Sequence, residues 1–160
     1  MDTLLDSFDR RFRSIHKSSL ELIRRVDRAD LFRKPRHVEN SMSPFSCGEY
    51  ILRSAAAVEQ TAGGITTRLW DDPFEWTLPE KLHSVELIRE YLDEVDRTRV
   101  EGIAFIGSDE SLSKMTPAPV KIVPISQVLI DTLARSEHYL GRAYAVFQMI
   151  SDEKLPIESL

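Results

Sequence analysis

Between residues 3 and 28 the apolar side chains Leu4, Leu5, Phe8, Phe12, Ile15, Leu22, Ile23 and Val26 return at steps of three and four. That spacing matches the turn of an α-helix and draws one apolar stripe along an otherwise charged rod. Such a rod must lay its stripe against partners. Three more segments of the same kind supply them, so this recurrence constrains the fold more than any other feature of the chain.

The second helix is predicted from Ser46 to about Trp70. Ser46-Cys47-Gly48-Glu49 has the pattern of a capping box, in which the serine and glutamate side chains each bond a backbone N–H at the helix start. Tyr50, Ile51, Leu52 and Ala55-Ala56-Ala57 carry the helix onward. Gly63-Gly64 costs about 1 kcal/mol per glycine inside a helix, and is read as the place where a neighbouring backbone comes close. Ser84 caps a third helix over 85–106, with Val85, Ile88, Leu92, Val95 and Ile103 on its apolar side. A fourth runs from Ile125 to about Asp152 through Val128, Leu129, Thr132, Tyr139, Ala143, Val146, Phe147 and Ile150.

The connections are marked by proline, which fixes φ and lacks a donor. Residues 29–44 hold Pro35 and Pro44 and read as a loop that Met42 and Phe45 anchor to the bundle. Asp71–Pro79 holds two prolines with Phe74, Trp76 and Leu78, so it reads as an ordered lid over one bundle end. Residues 108–124 hold Pro117, Pro119 and Pro124 and read as a long crossover with one helical turn near Leu112 and Met115. The expected fold is all-α: an antiparallel four-helix bundle, one domain over residues 1–153 with a frayed tail at 154–160.

A chain of 160 residues, 42% hydrophobic and 29% charged, suits one globular domain. No stretch is apolar and long enough to span a bilayer, and the first residues lack the pattern of a secretory signal. Cys47 is the sole cysteine, which excludes an internal disulfide and a cysteine zinc cluster. These features together suggest the cytoplasm. The net charge of −5 is uneven: +3 over residues 1–40 and −8 over the rest. An acidic total without a basic recognition helix argues against nucleic acid. The cluster Arg33-Lys34-Pro35-Arg36-His37 reads as a solvated loop.

Pro35 before the second helix, Ser46-Cys47-Gly48-Glu49 opening it, Glu59 further along it and Glu137-His138-Tyr139-Leu140-Gly141-Arg142 on the last helix follow an order of segments that resembles the DinB-like family. That family of bacterial helical bundles includes the YfiT-type putative metal-dependent hydrolases and thiol-dependent transferases. The resemblance implies an up-down-down-up bundle. It also implies a nickel or zinc ion held by three histidines, one on the second helix and two spaced by four on the fourth. Carried onto this chain, those positions fall on Arg53, Arg135 and Tyr139. Guanidinium stays protonated and offers no lone pair, so no metal is predicted there. The alternative is a rebuilt site in which His138 joins Glu49, Glu59 or Glu137, with hydrolase or thiol-transferase chemistry.

Arg135 and Tyr139 are four apart and share a helical face, and the resemblance places Arg53 opposite them. Two cations in a partly buried cavity need counter-charge. Two arrangements provide it: a closed salt-bridge network with Glu49, Glu59 and Glu137, or an open pocket in which an external carboxylate or phosphate is gripped by the arginines and by Tyr139. His138 by itself reads as a surface histidine and Cys47 as a buried one. Trp70, Phe74 and Trp76 either pack the loop or floor a pocket. The expected function is that of a bundle without the metal centre that binds a small anion or a partner. A homodimer is the default assembly.

Overall fold

Each helix begins where the sequence offers a cap. In the computed structural model, which describes residues 3–36, 39 and 45–155, Thr3 and Asp6 form a capping box at α1 (Leu4–Arg25), and Ser46 and Glu49 form the second at α2 (Cys47–Thr67). Ser84 accepts from the Leu87 N–H at the start of α3 (Val85–Ile106). Pro124 precedes α4 (Ile125–Ile150). A side-chain cap of this kind is worth about 1 kcal/mol against alanine. α1 has a further acceptor: both oxygens of Asp109, beyond the end of α3, take the Leu4 and Leu5 N–H groups at 2.9 and 2.8 Å.

The chain is mostly helical, with two departures from the sequence reading. The crossover over 108–124 has the helical turn expected near Leu112, as the 3-10 turn Asp109–Ser113, but Met115 lies outside it and opens an unexpected two-stranded antiparallel ribbon, β1 (Met115–Pro117) paired with β2 (Ile122–Pro124). This small sheet is an addition to a fold that four long helices otherwise make up. Pro117 and Pro124 sit at the ends of these short strands, where a missing N–H costs little, and Pro119 lies in the connection between them. α2 also ends three residues sooner than expected: Arg68 takes the left-handed conformation at φ 60° and closes the helix on the Gly64 carbonyl.

α1 packs against α3 and α4, and α2 against the same two helices. Asp9 meets Arg99 and Arg28 meets Glu86, so α1 and α3 run in opposite directions. Ser54 meets Ser136 and Thr61 meets Thr132, so α2 and α4 do as well. Between them lies one core that includes Leu22, Ile51, Leu52, Ile88, Leu92 and Phe147, each 2% exposed or less. Burying one such side chain contributes about 1.5–3 kcal/mol. Among the described residues no helix is long and apolar enough to cross a membrane.

The glycines work differently from expectation. A Cβ on Gly64 would strike the Trp70 ring at 2.3 Å, while one on Gly63 would meet nothing within 4 Å. The close neighbour is thus an indole from the following loop, not another backbone. Close backbone approach occurs at Gly48, where the Leu31 carbonyl accepts from the glycine N–H at 2.8 Å. It occurs again at Gly102, which rests on Ala62. The tail is held at its start: Lys154 O accepts from Arg25 at 2.8 Å and Leu155 packs on the core. Met42 and His37 lie outside the described residues.

Candidate functional site

Two pairs of buried hydroxyls fix the register of α2 on α4. Ser54 and Ser136, both 0% exposed, lie 2.8 Å apart, and each donates to the other's carbonyl at 2.9 Å. Two turns further along the same face of α2, Thr61 and Thr132 lie 2.6 Å apart. Buried hydroxyls cost free energy unless paired, so these bonds act as a locating device as much as a source of stability. Once Ser54 faces Ser136, Arg53 and Arg135 lie beside that contact, toward solvent.

There a cavity of about 570 Å³ opens on the outer face of α2. Its floor is the stripe Glu49, Leu52, Arg53, Ala56, Ala57 and Gln60, spaced by three and one along α2. Arg135 and Tyr139 of α4 form one wall, with Pro119 from the ribbon connection. The segment 72–80 forms the other wall, with Asp72, Pro73, Phe74, Thr77, Leu78, Pro79 and Glu80. Pro73–Trp76 is a 3-10 turn capped by Asp72. The loop expected to cover a bundle end instead lies along the outside of α2.

Of the six residues singled out from sequence, four line this cavity: Arg53, Arg135, Tyr139 and Glu49. The Arg53 guanidinium lies 3.9 Å over the Phe45 ring. Arg135 reaches Gln60 Oε1 at 3.5 Å. Tyr139 stacks on Tyr50 at 6.4 Å. Glu49 Oε2 accepts from the Ser46 N–H and hydroxyl, both at 2.8 Å. Among the described residues neither Arg53 nor Arg135 forms an ion pair.

The other two point elsewhere. Glu59 accepts from the Tyr91 hydroxyl at 2.6 Å and from Trp76 Nε1 at 3.3 Å, bridging α3 and the 72–80 segment. Burial and the Glu59 carboxylate push the Tyr91 phenol up, so it stays a donor. His138 is exposed and its Nε2 accepts from Arg142 at 2.9 Å. Glu137 pairs with Arg11 at 3.4 Å, away from Arg135. Phe74 lines the cavity, Trp76 ties its wall to Glu59, and Trp70 packs on Gly64. Cys47 is fully buried and its thiol is pushed up to about 12 by desolvation, which removes it as a nucleophile.

A nickel- or zinc-type centre does not fit this donor set. Two of the three positions that the resemblance assigns to metal ligands are guanidinium groups without a lone pair. Among the described residues no three His, Cys, Asp or Glu side chains stand together as a metal site. Sequence reasoning missed the hydroxyl pairs and the acidic wall. No known family model, curated protein or solved structure matches this chain, so its assignment rests on the cavity and its residues.

Proposed function

We propose that this chain binds a small organic molecule bearing a carboxylate or phosphate, and holds that group with Arg53 and Arg135 in the cleft between α2, α4 and the 72–80 segment. One observation carries the reading: two guanidinium groups border a cavity of about 570 Å³, and among the described residues neither has a carboxylate partner. Guanidinium presents a planar fork of donors that matches carboxylate and phosphate oxygens. Gln60 and Tyr139 add polar contacts, while Leu52, Ala56, Ala57 and Phe74 offer apolar surface to the body of the ligand. The volume lies within the range of small-molecule sites.

On the same reading the chain is a metal-free relative of the DinB-like bundles, with arginines and a tyrosine where the metal ligands would stand. The helix directions support the up-down-down-up order. α1 opposes α3, α2 opposes α4, and Arg11–Glu137 with Arg25–Lys154 pair α1 and α4 in the same direction.

Thermal unfolding in phosphate, citrate and hexanoate tests the proposal. A ligand at one hundred times its Kd stabilises by about 2.7 kcal/mol, which for a chain of this length raises Tm by about 5–10 °C. The rise should vanish in Arg53→Ala and Arg135→Ala. An equal rise in the variants, or none with any of the anions, overturns the reading.

A further inference from the structure

We infer that the ligand of this cavity is zwitterionic, with its anionic group at Arg53 and Arg135 and a cationic group at Asp72 and Glu80. The inference rests on the anion-binding reading and adds the second charge.

The charges are divided between the walls. Arg135 belongs to α4, on one side of the floor, and Arg53 rises from the floor itself. Asp72 and Glu80 belong to the segment on the other side. That segment is tied down: Trp76 donates to Glu59 at 3.3 Å, Thr77 Oγ1 donates to the Pro73 carbonyl at 2.9 Å, and Pro73 is buried. The acidic wall is therefore set before a ligand arrives, which lowers the ordering cost of binding.

The charge count favours the same conclusion. Glu49, Asp72 and Glu80 give the lining three carboxylates against two guanidinium groups. A simple anion would enter a cavity already negative by one. A molecule carrying its own cation adds no net charge and meets an opposite charge at each wall. Glu49 is occupied with the Ser46 N–H and hydroxyl, and Asp72 Oδ1 accepts from the Phe74 N–H at 3.1 Å. Glu80 is exposed at the rim and, among the described residues, has no ion-pair partner. Between the poles lie Ala56, Ala57 and Phe74, which suit a short apolar spacer.

Titration calorimetry with a chain-length series of ω-amino acids tests this, with the fatty acid and the alkylamine of each length as controls. The best-fitting amino acid should bind at least about tenfold tighter than its fatty acid. Glu80→Gln combined with Asp72→Asn should abolish that advantage and leave fatty-acid affinity unchanged or improved. The asparagine keeps the oxygen that caps Phe74. Arg135→Gln should weaken both ligands. If amino acid and fatty acid bind equally along the series and Arg135→Gln weakens both, the zwitterion inference fails and the anion reading stands. If the advantage survives in the double variant, the acidic wall is not its source and the inference fails. If no member of the series binds, both fail.

Discussion

Along the α1–α3 seam the arginines meet carboxylates. Arg99, 5% exposed, bridges Asp9 and Asp96, and Arg28 meets Glu86. Along the α2–α4 seam the buried polar groups are neutral hydroxyls, and the nearby arginines stand at a cavity without carboxylate partners. The first arrangement neutralises charge inside the chain. The second fixes helix register with groups that carry no charge and leaves the cations available. A seam held by hydroxyls can border a binding site; one held by its own arginines has already used them.

The largest test of this contrast is Arg99→Ala. It leaves Asp9 with Arg13 alone and takes the Arg99 partner from Asp96, and urea unfolding should show a loss of about 1.5–3 kcal/mol. A loss below about 1 kcal/mol would make this pair no more important than a surface one. Next, Ser136→Ala removes the bond to the Ser54 carbonyl while the Ser54 hydroxyl keeps the Ser136 carbonyl as acceptor, and should cost about 1–1.5 kcal/mol. Adding Ser54→Ala should then cost less than the sum of the single changes, because the two residues share one network.

The adjacent glycines of α2 should respond with opposite signs. Gly64→Ala drives a methyl into the Trp70 ring and should destabilise by about 1–3 kcal/mol. Gly63→Ala, facing open space, should stabilise by up to about 1 kcal/mol. The smallest effects belong to the cavity cations. Arg53→Ala should cost about 0.5–1 kcal/mol through its place over Phe45, and Arg135→Ala within about 0.5 kcal/mol. Losses near those of Arg99→Ala would show that they belong to a closed network and would erase the contrast between the seams.

The parts legible in sequence were those written in local pattern. Apolar period and capping residues located the helices, with α3 read at Val85–Ile106 and the Ser46–Glu49 box at the start of α2. The shortfalls are non-local. Ser54 and Ser136 are single serines 82 positions apart, and neither has a pattern around it to announce the other. The ribbon pairs three residues with three, too short to stand out beside its prolines. Arg53's expected counter-charges failed for two separate reasons. Glu59, six residues on, is turned about 120° around the helix, toward α3. Glu49 shares Arg53's face but is held by Ser46. Arg135 and Tyr139 at a spacing of four did reach one cavity, because a helix surface dictates that much directly.

Trp76 gives the acidic wall a built-in optical gauge. Its indole is 41% exposed and its N–H donates to Glu59, so lifting the 72–80 segment would wet the ring and shift its emission. Phenylalanine at Trp70 would silence the other tryptophan of the chain. The remaining signal should then stay constant as a ligand enters if the wall is set beforehand, and a shift would report that it moves, without any attached dye.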